Sequence, residues 1–178
     1  MDLPSPYLVA DIGGGSTELI LGTADGILAA QSLDIGSVRL TERHVTSDPT
    51  TPAELAAITH DIDELLDKTA VPLAEAQALI AVAGTATTVA AVALNLPEYD
   101  RTAVHHARLT AEQLRETTHW LTTSTKADRE AVHSIHPGRV DVIGAGAQIL
   151  QRLVTRLPVQ TLTVSEHDIL DGIALGLC

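Results

Sequence analysis

The amino-terminal part of the chain has the hydrophobic pattern of three consecutive strands. An apolar run covers residues 7–12, residues 17–21 alternate between apolar and polar, and residues 27–35 form a third segment. Three glycines separate the first two segments, and Asp25-Gly26, a dipeptide typical of tight hairpins, separates the second from the third. The pattern therefore predicts a three-stranded meander at the start of the domain.

After Gly36 the spacing of apolar residues becomes helical. The segments Thr51–Glu54 and Thr110–Gln113 both read as capping boxes, and Leu109 is placed to staple onto Leu114 across the second one. The first predicted helix has one apolar face: Leu55, Ile58, Ile62, Leu65 and Leu66. A later helical seam has six members: Val140, Ile143, Ala147, Leu150, Val154 and Leu157.

Between and after these helices the pattern predicts two more strands. Residues 79–83 form an apolar strand, and Gly84-Thr85 opens a helix that continues to Leu94, with Thr85 as its N-cap or as a donor to phosphate. Residues 95–109 are expected to be loop, and residues 161–164 a last strand. Ser165 and Asp168 then cap a final helix whose apolar face is Ile169, Leu170, Ile173 and Leu177. This order predicts an α/β fold, a mixed sheet with flanking helices.

Composition narrows the class of protein. The 178 residues suit one domain, and their net charge of −12 argues against partners such as DNA or an anionic membrane. The longest apolar stretch, residues 79–94, is too short to cross a bilayer, and residues 1–6 do not resemble a signal peptide. The single cysteine, Cys178, excludes an intramolecular disulfide, and we expect a cytoplasmic protein.

The segment Asp11–Glu18 carries the clearest candidate chemistry. The amides of Gly13, Gly14 and Gly15 can converge on an anion, and the hydroxyls of Ser16 and Thr17 are further donors. Asp11 ends the first strand, where a carboxylate can hold Mg²⁺, and Glu18 can orient a water for attack on phosphorus. The alternative is a simple glycine turn with an acid at each end. Neither a Walker A loop nor a dinucleotide-binding fingerprint is present in the sequence.

A second candidate phosphate loop is Gly84-Thr85, which lies between a strand and a helix. Free amides and the positive end of the helix dipole meet at such a position, although an ordinary capped helix has the same pattern. Arg39 and Arg139 each stand near the start of a predicted helix and are the arginines to consider for phosphate contact, or else solvated surface residues. His133 and His136 lack a third ligand for zinc, which favours a loop or surface role.

Taken in order, several short segments resemble the exopolyphosphatase / guanosine pentaphosphate phosphohydrolase (Ppx/GppA) family. They are Asp11–Glu18, Ile35–Glu42, Gly84–Thr88, Tyr99-Asp100 with Val104-His105 and Leu109-Thr110, Arg139–Asp141, and Val164–Glu166 with Asp171-Gly172. The resemblance implies a ribonuclease-H-like domain of the actin-like ATPase and sugar-kinase superfamily. It also implies release of terminal phosphate from polyphosphate or guanosine pentaphosphate with Mg²⁺ or Mn²⁺. In that family Asp11 corresponds to a metal and phosphate position, residues 13–16 to phosphate contacts, and Glu18 to the position of the attacking water.

The resemblance covers only the second of the family's two domains. The resemblance implies that the family's first phosphate loop and principal catalytic glutamate lie in the other domain. No segment similar to that first loop precedes Tyr7. We therefore expect residues 1–6 to be a linker or boundary segment and residues 7–178 to be one domain that needs the first domain as its partner. A non-hydrolytic module that senses polyphosphate or guanosine penta- or tetraphosphate is the alternative, and the half of a kinase is a third. A homodimer is compatible with the sequence.

Overall fold

The computed structural model describes residues 3–167, which form a six-stranded sheet and seven α-helices. The strands are β1 (Tyr7–Ile12), β2 (Thr17–Thr23), β3 (Gly26–Leu33), β4 (Ala78–Val82), β5 (Arg108–Thr110) and β6 (Thr161–Val164). The helices are α1 (Ser37–His44), α2 (Pro52–Asp67), α3 (Ala83–Ala93), α4 (Arg101–Val104), α5 (Ala111–Thr123), α6 (Lys126–Glu130) and α7 (Ile143–Val154). Two 3₁₀ turns cover Leu73–Glu75 and Pro137–Arg139.

The predicted meander is confirmed, and it forms one side of a mixed sheet. The strand order is β3-β2-β1-β4-β6-β5, with β1, β2 and β3 antiparallel. Strand β4 is parallel to β1, and β6 is parallel to β4. Along β1 the buried positions are Leu8, Ala10 and Ile12, while the residues between them are half-buried. The apolar run that predicted β1 thus has one fully covered face, and its other residues are half-buried.

The prediction of a continuous loop over residues 95–109 is wrong. This stretch contains the short helix α4, capped by the Asp100 carboxylate, and it ends in strand β5. Strand β5 has only three residues and a single buried side chain, Leu109, which is too little for a period-two pattern. Its stability comes from antiparallel pairing with β6, a partner distant in the sequence.

The helix starts predicted from capping boxes are confirmed. Thr51 accepts from the Glu54 amide at the start of α2, and Thr110 accepts from the Gln113 amide at the start of α5. The seam from Val140 to Leu157 is buried as predicted, but α7 itself begins only at Ile143. Val140 reaches the same core from the preceding turn. Apolar spacing therefore marks the buried face and overestimates the length of the helix.

Helix α3 begins directly at the end of β4, two residues before the predicted N-cap. Val82 holds the N-cap position without a side-chain hydrogen bond, so the prediction of Thr85 as N-cap is wrong. Ala83 has a φ of 64°, and this left-handed residue makes the turn without any loop. Thr85 consequently lies inside the first turn of the helix and is buried.

The predicted carboxy-terminal helix falls mainly on residues 168–178, which lie outside the described part of the chain. Among the helices of residues 3–167, none has both the length and the hydropathy needed to cross a membrane.

Candidate functional site

The two candidate phosphate loops lie side by side at one edge of the sheet. Strands β1 and β4 are parallel neighbours, with Asp11 beside Val82, so the loops that follow them leave the sheet together. A cavity of about 270 Å³ lies between these loops. Gly13 and Gly14 line it from one side, and Ala83, Gly84 and Thr85 from the other. The parallel pairing brings together two segments that the sequence separates by some seventy positions.

The glycine turn between β1 and β2 is held by the start of helix α1. The Gly13 carbonyl accepts from the Ser37 amide at 3.0 Å, and the Gly14 carbonyl accepts from the amides of Val38 and Arg39 at 2.9 and 3.0 Å. A side chain on Gly36 would overlap the Gly14 backbone, so this close approach needs glycine at residue 36. These bonds fix the turn through its carbonyl groups.

Of the three glycine N–H groups in the turn, one donates a hydrogen bond within residues 3–167 and two do not. Gly13 donates to the Ser16 carbonyl at 3.0 Å and closes the hairpin, so its amide is not available to a ligand. Within residues 3–167 the amides of Gly14 and Gly15 donate to no protein acceptor. These two N–H groups are therefore the ones the turn can offer to an anion.

The two predicted catalytic acids form a cross-strand pair. Asp11 of β1 is directly opposite Glu18 of β2, so both side chains leave the sheet on the same face. One oxygen of Glu18, Oε1, accepts from the hydroxyls of Ser16 at 2.8 Å and Ser32 at 2.6 Å. That face is opposite the one that carries Ile12, and neither acid lines the cavity between the loops.

A pair of carboxylates at this position suits a divalent cation. Two like charges directly opposite each other in a ladder repel, and a cation relieves that repulsion. Mg²⁺ is commonly held by one or two carboxylates, with water and phosphate oxygens completing its shell. No group of three or more His, Cys, Asp or Glu side chains that could hold a metal ion occurs in the described part of the chain.

Two residues predicted to contact phosphate instead support the turn. Thr17 is fully buried, and its hydroxyl donates to the Ile35 carbonyl at 2.7 Å. Arg39 donates from Nε to the Gly15 carbonyl at 2.7 Å and from Nη2 to Asp34 at 3.3 Å, on the outer side of the turn. Because both side chains already have partners away from the cavity, we do not include them among the proposed phosphate contacts.

Arg139 is brought against the second loop. Its guanidinium occupies the space that a side chain on Gly84 would need. Arg139 is half-buried and lines the cavity, and across residues 3–167 its guanidinium makes no ion pair or hydrogen bond. Thr85 lines the same cavity and packs closely against Gly146, where a Cβ on Gly146 would lie 2.7 Å from the Thr85 methyl carbon. The site thus presents a planar guanidinium with several N–H donors beside the first turn of α3.

A larger cavity of about 500 Å³ adjoins the first, and we call it the distal cavity. The two share Ala83, Gly84 and Arg139. The other polar residues that line the distal cavity are Thr87, Tyr99, Arg101, His133, His136 and Glu166. No pattern in the sequence indicates this cavity. Tyr99 and Glu166 belong to the segments that resemble the family, and His133 and His136 are exposed, as a loop or surface role predicts.

A carboxylate organises one wall of the distal cavity. The Tyr99 hydroxyl donates to Oε1 of Glu166, and Arg101 donates from Nε to Oε2 at 2.8 Å. Burial, followed by the hydrogen bond to Glu166, raises the pKa of Tyr99, so the phenol keeps its proton at neutral pH. Both oxygens of Glu166 are therefore occupied by donors from the segment around α4.

Comparison with known proteins gives the family of the chain. The model of the Ppx/GppA phosphatase family matches residues 4–178. Exopolyphosphatase 2 of Mycobacterium tuberculosis is 44% identical over 179 residues, which cover 97% of this chain and 56% of that protein. A bifunctional 3-dehydroquinate synthase/phosphatase of Fusobacterium nucleatum is 32% identical over 98% of this chain and 26% of its own length. The chain spans about half the length of the exopolyphosphatases it matches.

Solved structures agree with this assignment. A crystal structure of an exopolyphosphatase-like protein superposes with a TM-score of 0.95 at 40% identity, covering 99% of this chain and 60% of that one. A Ppx/GppA family member from Aquifex aeolicus gives 0.88 at 28% identity, covering 96% and 55%. The predicted ribonuclease-H-like α/β fold is confirmed. The chain belongs to the Ppx/GppA phosphatase family.

Proposed function

We propose that this chain is the second domain of a phosphohydrolase that releases the terminal phosphate of inorganic polyphosphate or of guanosine pentaphosphate. The observation that carries the proposal is the convergence of two glycine loops and Arg139 on one small cavity. Relatives described as exopolyphosphatases support the substrate class, and they extend well beyond the matched part. The other domain would supply the remaining catalytic groups.

In this proposal the terminal phosphoryl group lies between the loops. The amide of Gly14 and the guanidinium of Arg139 donate to its oxygens, with the Thr85 hydroxyl nearby. Gly15 lines a different cavity on the outer side of the turn, beside Arg39, so we do not assign its amide to this phosphoryl group. Backbone amides and a forked guanidinium are the donors that phosphate recognition uses most readily. The cavity of about 270 Å³ has room for a single phosphoryl group and its water.

Asp11 would hold Mg²⁺ or Mn²⁺, and Glu18 opposite it adds a second negative charge on the same face. When bound, the cation supplies charge that offsets the negative charge developing on the phosphoryl oxygens. It would also reduce the repulsion between a polyanion and a chain of net charge −12. A carboxylate such as Asp11 is the kind of oxygen donor that a hard cation prefers.

Glu18 is the residue we assign to the attacking water. The hydroxyls of Ser16 and Ser32 orient the carboxylate through Oε1, and Oε2 has no protein donor within the described residues. Oε2 can accept a proton from water as the water oxygen bonds to the terminal phosphorus. The phosphoanhydride bond breaks, and the electron pair leaves with the shortened chain.

The test is phosphate release from polyphosphate by the complete two-domain protein in the presence of Mg²⁺. We expect Glu18→Gln to lower the rate by ~10²-fold or more while polyphosphate binding is retained. Glu75→Gln is the matched control, because Glu75 is exposed and precedes β4 at the opposite edge of the sheet. An unchanged rate in Glu18→Gln would remove this residue from the mechanism.

A second candidate is a phosphate-binding module without hydrolysis. It is favoured by the position of Asp11 and Glu18, which do not line the cavity that would hold the anion. Calorimetry with tripolyphosphate and Mg²⁺, run beside a phosphate-release assay on the two-domain protein, separates the two functions. Binding without release at any protein concentration identifies the module.

A further inference from the structure

Another cavity, of about 460 Å³, lies between the last turn of α3, one face of α5 and residues 132–134, and we call it the Trp120 cavity. Its size is that of a site for a small molecule, for which roughly 300–1,000 Å³ is typical. Helix α3 has its first residues at the cavity between the glycine loops and its last residues here, so about 16 Å of helix separates the two. The Trp120 cavity shares no lining residue with that cavity or with the distal cavity, so what it binds is independent of the proposed function.

A buried hydroxyl in the wall of the Trp120 cavity lacks a partner. Ser134 lines the cavity and is only 1% exposed, and its Oγ makes no hydrogen bond among residues 3–167. Burying a hydroxyl without a partner is unfavourable, and most buried polar groups in folded proteins are paired. A ligand in the cavity would supply the missing partner, and the serine oxygen can accept a hydrogen bond from it.

The electrostatics of the cavity favour a cation. Glu116 lines it, and this carboxylate makes no ion pair or hydrogen bond within the described residues. The neighbouring Arg115 is instead paired with Glu112 through two hydrogen bonds. The carboxyl-terminal end of α3, the negative end of its dipole, also faces the cavity and has no basic residue in its last turn. No lysine, arginine or histidine is among the described residues that line this cavity.

The remaining wall is apolar and carries an aromatic ring. Trp120, the one tryptophan of the chain, is 36% exposed and lines the cavity together with the half-buried Val92, Leu96 and Val132. Glu116 precedes Trp120 by four residues on α5, so the carboxylate and the indole are neighbours on one helix face. The face of an indole attracts a cation, and its area also covers hydrocarbon. The cavity therefore has one region for a positive charge and one for an apolar body.

We infer that the Trp120 cavity binds a small organic cation, a primary ammonium group on a short apolar body. The ammonium has three N–H donors, which suit the Glu116 carboxylate and the unpartnered Ser134 hydroxyl. The apolar body lies against Trp120 and the aliphatic side chains beside it. A carboxylate or phosphate ligand is disfavoured, because it would meet Glu116 and the negative end of α3 without a basic residue to pair with.

The experiment uses the fluorescence of Trp120 in the 178-residue chain, because this is the only tryptophan in it. Three probes of equal length are titrated at one fixed ionic strength: n-hexylammonium, n-hexanol and n-hexanoate. We expect n-hexylammonium to change the emission saturably, n-hexanol to bind about tenfold more weakly, and n-hexanoate to give no saturable change, because only the first can form a charge-assisted hydrogen bond to Glu116.

Two variants test the residues that carry the inference. Glu116→Gln should weaken n-hexylammonium by about tenfold, through loss of the charged acceptor. Ser134→Ala should weaken it by about fivefold, through loss of one hydrogen bond. Glu75→Gln is the matched control, because Glu75 is exposed and does not line the cavity, so this variant removes the same charge from a chain of net charge −12.

Three results would overturn the inference. Equal affinity for the three probes would reduce the cavity to a general apolar surface. Equal weakening in Glu116→Gln and Glu75→Gln would mean that the acidic chain attracts cations diffusely. An unchanged emission with n-hexylammonium would mean that the cavity does not bind it. Phosphate release by the two-domain protein tests the proposed function separately, because the two sites share no residue.

Discussion

The guanidinium of Arg139 lies where a side chain at residue 84 would have to be. This relationship joins the end of a 3₁₀ turn to the first turn of α3. It explains in physical terms why the second loop carries glycine at that position. The Arg139 guanidinium therefore reaches the first turn of α3 with no side chain between them. The guanidinium and the start of α3 both face the cavity between the two loops.

Replacing Gly84 by alanine should therefore displace Arg139. The overlapping atoms belong to the end of a flexible side chain, so we expect the fold to survive. Orthophosphate affinity should fall by about tenfold through loss of one charge-assisted contact. Calorimetry on Gly84→Ala, Arg139→Ala and the double variant provides the check.

The double variant distinguishes displacement of Arg139 from a change in the loop itself. If displacement is the cause, Gly84→Ala should have almost no effect once Arg139 is already alanine. Additive losses in the two single variants would contradict this account and place the effect in the loop backbone.

Arg129 should be important for stability. It is buried, and it donates from Nε to the Val140 carbonyl at 2.9 Å and from Nη1 to the Leu121 and Ser124 carbonyls at 3.2 and 2.6 Å. Arg129→Met leaves these carbonyls without a donor and should lower the free energy of unfolding by about 3 kcal/mol. Urea denaturation measures the loss. Arg108→Met, at an exposed position of β5, should change stability little, and a similar loss in both variants would contradict the prediction.

The N-cap of α2 should contribute to the free energy of unfolding by an amount typical of helix N-caps. Thr51→Ala removes the acceptor of the Glu54 amide, and we expect unfolding free energy to fall by about 1 kcal/mol. Thr123→Ala is the matched control, because the Thr123 hydroxyl is exposed and, within residues 3–167, bonds only to the His119 carbonyl of its own helix. Urea denaturation of both variants would show equal stability if the cap were unimportant.

Stability should fall on acidification through the histidine range. Burial, reinforced by His106 and His167, lowers the pKa of His105, whose Nδ1 accepts the Glu166 amide at 3.2 Å. Below the ordinary value of about 6.5 the unfolded chain then binds more protons than the folded one. This contribution to stability is present above pH 6.5 and is lost as the pH falls below it.

Denaturation of the wild type and of His105→Gln at pH 7.5, 6.5 and 5.5 tests this dependence. The glutamine can still accept the amide but does not titrate, so its stability should depend less on pH. His60→Gln, at an exposed position of α2, should keep the wild-type dependence. Identical slopes in all three proteins would show that His105 does not couple folding to pH.

Short-range sequence patterns predicted most of the helices and strands. The apolar run of β1, the alternation in β2 and the capping boxes at Thr51 and Thr110 depend on residues within a few positions of one another, and these predictions are confirmed. The sequence patterns did not predict strand β5 or the early start of α3, because neither depends on a local pattern. The first depends on pairing with β6, and the second on a left-handed Ala83 that no local rule favours.

By itself the sequence determined each glycine loop, the family and the acids at either side of the triple glycine, because these are contiguous motifs. Only the tertiary structure decided which groups meet. Parallel pairing of β1 with β4 sets the two loops together, and packing brings Arg139 across from a distant turn. Partners distant in the chain likewise occupy the Thr17 hydroxyl and the Arg39 guanidinium, and such long-range contacts leave no periodic trace in the sequence.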